Sequence, residues 1–211
     1  MAQSITVSVL FTDLVRSTEL AEDLGPEAAH AMRRDHFAVL RSAIAAHDGT
    51  EVKNLGDGLM VVFGSVRAAL DGAVAMQQHV ERDNRGRSRR LAVRIGLSTG
   101  DATTDEGDYY GPPVVEAARL CEAATGGSIL TTELVRLHGA RTGHAFRPLG
   151  ERALKGLPEP LPIFELNWAP APVASPVPHA PPARAPARGR LRRLPPRQVE
   201  APCRLSGRRL R

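Results

Sequence analysis

Cysteine is nearly missing from this chain: 211 residues hold two, Cys121 and Cys203, far apart and with no CxxC or Cys/His spacing. That excludes a disulfide framework and a thiolate zinc site, and Cys121 reads as a buried helix residue. No run approaches the roughly 20 uninterrupted apolar residues of a membrane-spanning helix, and the N-terminus runs into polar and acidic residues in place of a signal-peptide core. A cytoplasmic protein without a membrane span is expected. The histidines at 30, 36, 47, 79, 138 and 144 lack metal-ligand spacing and read as surface or packing groups. The Gly-Lys-Ser/Thr of a phosphate-cradling loop is absent as well.

What is present is uneven. The net charge of +5 hides a segment from Ala169 onward with ten arginines and one acid, Glu200, so that this segment carries about +9 and the preceding residues about −4. A negative folded part with few aromatics offers nothing to nucleic acid, and only the arginine-rich segment is suited to RNA, DNA or acidic lipid. The same segment is Pro, Ala and Arg with almost no large apolar residue, too little to offset the entropy of ordering it. Two regions result: a folded domain over 1–168 and a disordered basic tail over 169–211.

Within the domain the hydrophobic pattern alternates between strand and helix periods. Residues 4–13 (Ile5, Val7, Val9, Leu10, Phe11) read as a buried strand ending at an acid. The next segment turns helical, and Gly25-Pro26 opens an amphipathic helix (Ala29, Phe37, Leu40, Ile44) that Asp48-Gly49 stops. Strands at 50–54 and 59–63 flank Gly56-Asp57-Gly58, a tight-hairpin signal that displays an aspartate. A helix over 65–82 leads through a polar run at 82–90 into a strand at 91–98. The order β-α-β-β-α-β predicts an α+β fold with a ferredoxin-like split βαβ core, its antiparallel sheet carrying the helices on one face. Residues 99–113, rich in Gly, Asp and Thr, read as a loop; a helix at 114–124, a strand at 128–131 and short elements at 146–149 and 162–167 finish the domain near Trp168.

Two aspartates stand at the ends of such elements, Asp13 in Phe-Thr-Asp-Leu-Val-Arg-Ser-Thr and Asp57 in Lys-Asn-Leu-Gly-Asp-Gly-Leu-Met. In a split βαβ sheet the first strand lies beside the hairpin, so the two carboxylates can converge. Paired hard oxygens suit Mg²⁺ or Mn²⁺, although an aspartate at a strand end is more often a cap or turn residue.

Five segments in register carry a resemblance. Phe11 to Thr18, Lys53-x-x-Gly56-Asp57-Gly58, Arg94-Ile-Gly-Leu-Ser-Thr-Gly100, Asp108-Tyr-Tyr-Gly111 and Glu116-Ala-Ala-Arg-Leu120 together resemble the class III adenylate/guanylate cyclase catalytic domain, collinearly from about Ile5 to Leu166. The resemblance implies the nucleotide cyclase fold and conversion of ATP to 3′,5′-cyclic AMP and pyrophosphate by two-metal catalysis at a homodimer interface, with two Mg²⁺ or Mn²⁺ per active site. It implies that Asp13 and Asp57 bind metal with a carbonyl from Leu14. Lys53 and Asp108 would select adenine, Arg119 would stabilise charge at the α-phosphate, and Lys155 would hold the terminal phosphates. Taken singly, Lys53 is an ordinary solvated charge, Asp108 a turn residue and Arg119 a helix surface residue.

One position departs from the pattern. Four residues before Arg119 the family usually has asparagine, and this chain has Val115, which cannot hydrogen-bond the ribose oxygen. Losing one preorganised donor costs on the order of 10²–10³ in rate. The competing reading is a nucleotide-binding or dimerisation sensor module of the same family that has lost turnover. A third, nucleic-acid binding, rests on the tail alone.

Overall fold

Alternation along two central strands shapes the domain, seen in a computed structural model that describes residues 3–169. In β1 (Gln3–Leu14), Val7 and Val9 point to one side of the sheet while Leu10 and Leu14 point to the other. In β3 (Leu59–Phe63), every residue of Leu-Met-Val-Val-Phe is buried, because both faces of this strand are covered. Leu59, Val61 and Phe63 join the core under the helices, and Met60 and Val62 join the opposite cluster.

The helices follow from these stripes. α1 (Ser17–Leu24) is separated by Gly25 from α2 (Pro26–Ala46), which has proline in its first turn and buries Phe37, Leu40 and Ile44. The hairpin strands β2 (Thr50–Asn54) and β3 lead to α3 (Val66–Asn84), where Ser65 caps the helix by accepting from the Ala68 N–H at 3.2 Å. Then come β4 (Val93–Asp105), β5 (Asp108–Tyr110), α4 (Pro112–Ala123), β6 (Ile129–Thr132), α5 (Glu133–Gly139), β7 (Phe146–Arg152) and β8 (Leu161–Leu166). The sheet order is β2-β3-β1-β4-β6-β8-β7, with β5 on β4. Among the described residues no helix is long and apolar enough to cross a membrane.

The expected α+β architecture is present, with four differences. Residues 99–113 are not one loop: β4 runs on to Asp105 and turns into β5, because β1 pairs with it along its whole length from Gln3↔Thr104 to Leu14↔Val93. The polar Thr, Asp and Gly composition that suggests a loop belongs to the more exposed end of that ladder. The helices are not all on one face, since α4 lies on the side of Val7, Val9, Met60 and Val62, with Ala117 fully buried against them. Gly96 explains how closely it lies there. A Cβ at that position would sit 2.1 Å from the Ala117 carbonyl and 2.2 Å from the Cys121 nitrogen, so any side chain would push α4 off the sheet. The sheet is antiparallel except for the β4–β6 pair, which is parallel. Finally, α5 was not expected from the pattern, and it buries Val135 in the main core.

The domain closes at Trp168, whose Nε1 donates to the Gly127 carbonyl at 2.6 Å while its own carbonyl accepts from Gln78. The tail expected over 169–211 lies, beyond Ala169, outside the described residues.

Candidate active site

β1 ends at a corner that the β2–β3 turn crosses. The turn can pass only because residue 58 has no side chain: a Cβ on Gly58 would stand 1.9 Å from the Thr12 carbonyl oxygen. Two hydrogen bonds tie the turn down, Leu14 N–H to the Asp57 carbonyl at 3.1 Å and Leu59 N–H to Thr12 Oγ1 at 3.0 Å. Asp13 and Asp57 are thereby brought together, as the adjacency of strand and hairpin requires. Ser17 Oγ, at the start of α1, donates to Asp57 Oδ2 at 2.7 Å.

The electrostatics of this corner are those of a crowded pair of carboxylates with one cation. Arg94 Nε donates to Asp13 Oδ2 at 2.6 Å. Even so, burial above all, with the Asp57 carboxylate adding to it, holds the Asp13 carboxyl above its usual range. The two aspartates, Arg94, Leu55, Cys121 and Glu122 help to line a cleft of about 320 Å³. Burial pushes the Cys121 thiol up to about 12, so it stays protonated beside Asp13, donating weakly to the Arg94 carbonyl. The Leu14 side chain is buried in the core, which leaves only its main chain at the corner.

The remaining candidates do not line this cleft, although Arg119 bonds to Glu122, which does. Lys53, whose strand partner Met60 pairs in turn with Phe11, reaches Asp108 on β5, its Nζ donating to Oδ2 at 2.6 Å. The ammonium holds the Asp108 carboxyl below the usual range, and the Tyr109 N–H on Oδ1 lowers it further. Asp108 in turn raises the Tyr110 hydroxyl. Tyr109 packs on the Val7–Met60 face and so seats this short hairpin over the sheet. Arg119 projects from α4 toward Gly156, within 3.9 Å of where a Cβ would be, and so beside the loop that carries the exposed Lys155. Val115, one helical turn before Arg119, is 39% exposed.

Residues 1–167 match the family described as the adenylate and guanylate cyclase catalytic domain. The chain belongs to that family. As a cyclase domain it is 31% identical over 164 residues to putative adenylate cyclase 3 of Rhizobium meliloti, a match covering 74% of this chain and 27% of that protein. It spans under half the length of the curated relatives it matches. Its fold is similar to the crystal structure of an adenylyl cyclase from P. aeruginosa, with a TM-score of 0.69 at 25% identity, covering 79% of this chain and 96% of that one. The guanylyl cyclase Cya2 is equally similar, with a TM-score of 0.69 at 25% identity over 82% of this chain and 97% of that one. Overall likeness to cyclases therefore leaves the choice of base to the residues that would touch it.

Of the residues singled out in the sequence, the cyclase fold brings Asp13, Asp57 and the main chain of Leu14 to one corner. It pairs Lys53 with Asp108 and sets Arg119 beside Gly156, the residue after Lys155. Among the described residues none of Lys53, Asp108, Arg119 and Lys155 lines the carboxylate cleft. Arg94 was not given a role by the sequence, although it opens one of the five quoted segments. The signal that would have found it is strand register: a β1–β4 ladder of this length puts Arg94 directly opposite Asp13.

Proposed function

We propose that this cyclase domain converts ATP to 3′,5′-cyclic AMP and pyrophosphate between two copies of the chain. The observation that supports the reading is that the cleft holding Asp13 and Asp57 is lined by none of Lys53, Asp108, Arg119 and Lys155 among the described residues. A second copy related by a two-fold axis would supply the missing half twice, giving two equivalent sites.

Two Mg²⁺ or Mn²⁺ ions per site fit the donor set. Among the described residues no third His, Cys, Asp or Glu joins the two aspartates, so the Leu14 carbonyl, water and phosphate oxygens would complete the shell. The Asp13 carboxyl is raised by burial above all, with the Asp57 charge adding to it, and a bound cation would oppose both. Bound there, the ions would neutralise triphosphate charge and lower the pKa of the attacking 3′ hydroxyl. The chain's own groups do the rest. Lys53 donates to the adenine N1 and Asp108 accepts from the N6 amine, whereas guanine presents the reverse pattern. Arg119 meets the charge that develops at the α-phosphate, and Lys155 holds the terminal phosphates.

Val115 favours a second reading, a nucleotide-binding dimerisation module without turnover, because an exposed aliphatic group stands where a ribose donor is expected. One experiment separates the two: purified protein with Mn²⁺ and ATP, assayed for cyclic AMP alongside Asp13→Ala and Val115→Asn. The cyclase reading expects product above the Asp13→Ala background, and a rise of about tenfold in kcat for Val115→Asn with ATP affinity nearly constant. A wild-type rate equal to that of Asp13→Ala, with no gain on restoring asparagine, refutes it in favour of the module.

A further inference from the structure

Arg119 is engaged within its own helix. Its Nη1 donates to Glu122 Oε1, three residues on, at 2.6 Å, with the guanidinium side chain 30% exposed and the carboxylate side chain 57% exposed. The fit is poor on the other side of the guanidinium, where Nε is buried with no hydrogen-bond partner among the described residues. A buried donor left unpaired costs more than a part-exposed ion pair between neighbouring helix turns returns. The comparison decides what kind of placement this is. Arg119 does not rest where its donors are best satisfied; it rests where the nearest carboxylate holds it.

Glu122 has a second hold on the site. Its main-chain carbonyl accepts from Arg94 Nη1 at 2.9 Å, so this one residue touches both the arginine that pairs with Asp13 and the arginine that reaches toward Gly156. The main-chain contact survives any substitution at 122, and the side-chain contact does not. The two can therefore be separated by mutation.

We propose that Glu122 is a positioning residue that acts as an internal counter-anion for Arg119, occupying the place a phosphate oxygen takes when nucleotide arrives and thereby setting nucleotide affinity. The proposal rests on the cyclase reading above, in which Arg119 meets the α-phosphate. No covalent bond changes in the exchange: a carboxylate oxygen leaves Nη1, a phosphoryl oxygen replaces it, and the turned guanidinium finds an acceptor for Nε. Because the carboxylate competes with bound nucleotide in the ground state and the transition state alike, removing its charge lowers KM more than it changes kcat.

The test measures the affinity of the full chain for a 3′-deoxy ATP analogue with Mn²⁺, in wild type, Glu122→Gln, Arg119→Ala and the double variant. Glu122→Gln should bind about three- to fivefold more tightly, the fold-change corresponding to release of one such ion pair. The gain should vanish in the Arg119→Ala background, because the effect passes through that guanidinium. Glu122→Ala, at an exposed carboxylate, serves as the second variant and should match Glu122→Gln. Unchanged affinity in both overturns the proposal. So does an equal gain with and without Arg119, which would be the general field of a carboxylate near the cleft. If the wild type and every variant fail to bind the analogue, the cyclase reading falls and the counter-anion with it, an outcome distinct from unchanged affinity in a protein that binds.

Discussion

Asp13 and Arg94 face each other across β1 and β4, and the guanidinium Nε reaches the carboxylate Oδ2 at 2.6 Å. Arg94 is thus the protein's own counter-charge for one of two crowded aspartates. Arg94→Gln should cost about 1–2 kcal/mol in metal-free protein, since a part-buried carboxylate loses its charged partner, and Tm should fall by roughly 3–6 °C. Mn²⁺ should then raise Tm more in the variant than in the wild type, because the ion would be the only cation left at the pair. Thermal melts with EDTA and with Mn²⁺ check this; an equal Mn²⁺ shift in the two proteins would remove Arg94 from the electrostatics of the corner.

The proposed site shared between two copies predicts complementation. Asp57→Ala and Arg119→Ala should each be inactive alone and should regain part of the activity when mixed, because a mixed dimer keeps one site with both halves native. The assay is cyclic AMP formation by an equimolar mixture, in protein shown by labelled subunits to exchange. No recovery in exchanging protein would contradict a shared site.

Lys53 and Asp108 are held as a ready donor and acceptor, 42% and 28% exposed in their side chains. Lys53→Glu with Asp108→Ser should reduce ATP use and relatively improve GTP use, because the hydrogen-bond pattern is reversed. Stability should change little, since exposed ion pairs contribute at most about 1 kcal/mol. Competition between ATP and GTP for turnover measures the preference, and an unchanged ratio would remove the pair from base recognition.

His36, far from this chemistry in sequence, predicts a pH dependence of stability. It is buried on α2, its Nε2 has no partner among the described residues, and burial, helped by Arg87 and opposed by Asp83, pushes it from 6.5 down to about 4. The native state therefore holds it neutral. As pH falls below about 6.5 the unfolded chain takes up a proton that the native chain accepts only near 4, so stability is lost across that window, by at most about 3 kcal/mol. His36→Gln should flatten that part of the profile. Urea midpoints from pH 7.5 to 4.5 for both proteins provide the measurement, and parallel profiles would show that His36 is not the group responsible.

Much of the fold is legible in local pattern. The apolar alternation of Val7, Val9 and Leu10, the helical spacing of Phe37, Leu40 and Ile44, and the Gly56-Asp57-Gly58 turn each report a short-range constraint, and each element formed where its constraint placed it. The position of Asp57 beside Asp13 was also readable, because a hairpin in a split βαβ sheet has only one strand to lie against. Local pattern is silent where the deciding contact is distant. Residues 99–105 are strand only because β1 offers a partner along its full length, and α4 takes the opposite face only because Gly96 leaves room for its backbone. Residue chemistry made Asp13 and Asp57 candidates from the sequence, and the family resemblance added Leu14, Lys53, Asp108, Arg119 and Lys155. That Arg94 stands opposite Asp13, that Glu122 holds Arg119, and that Lys53 meets Asp108 were decided by strand register and helix docking, which no window of sequence contains.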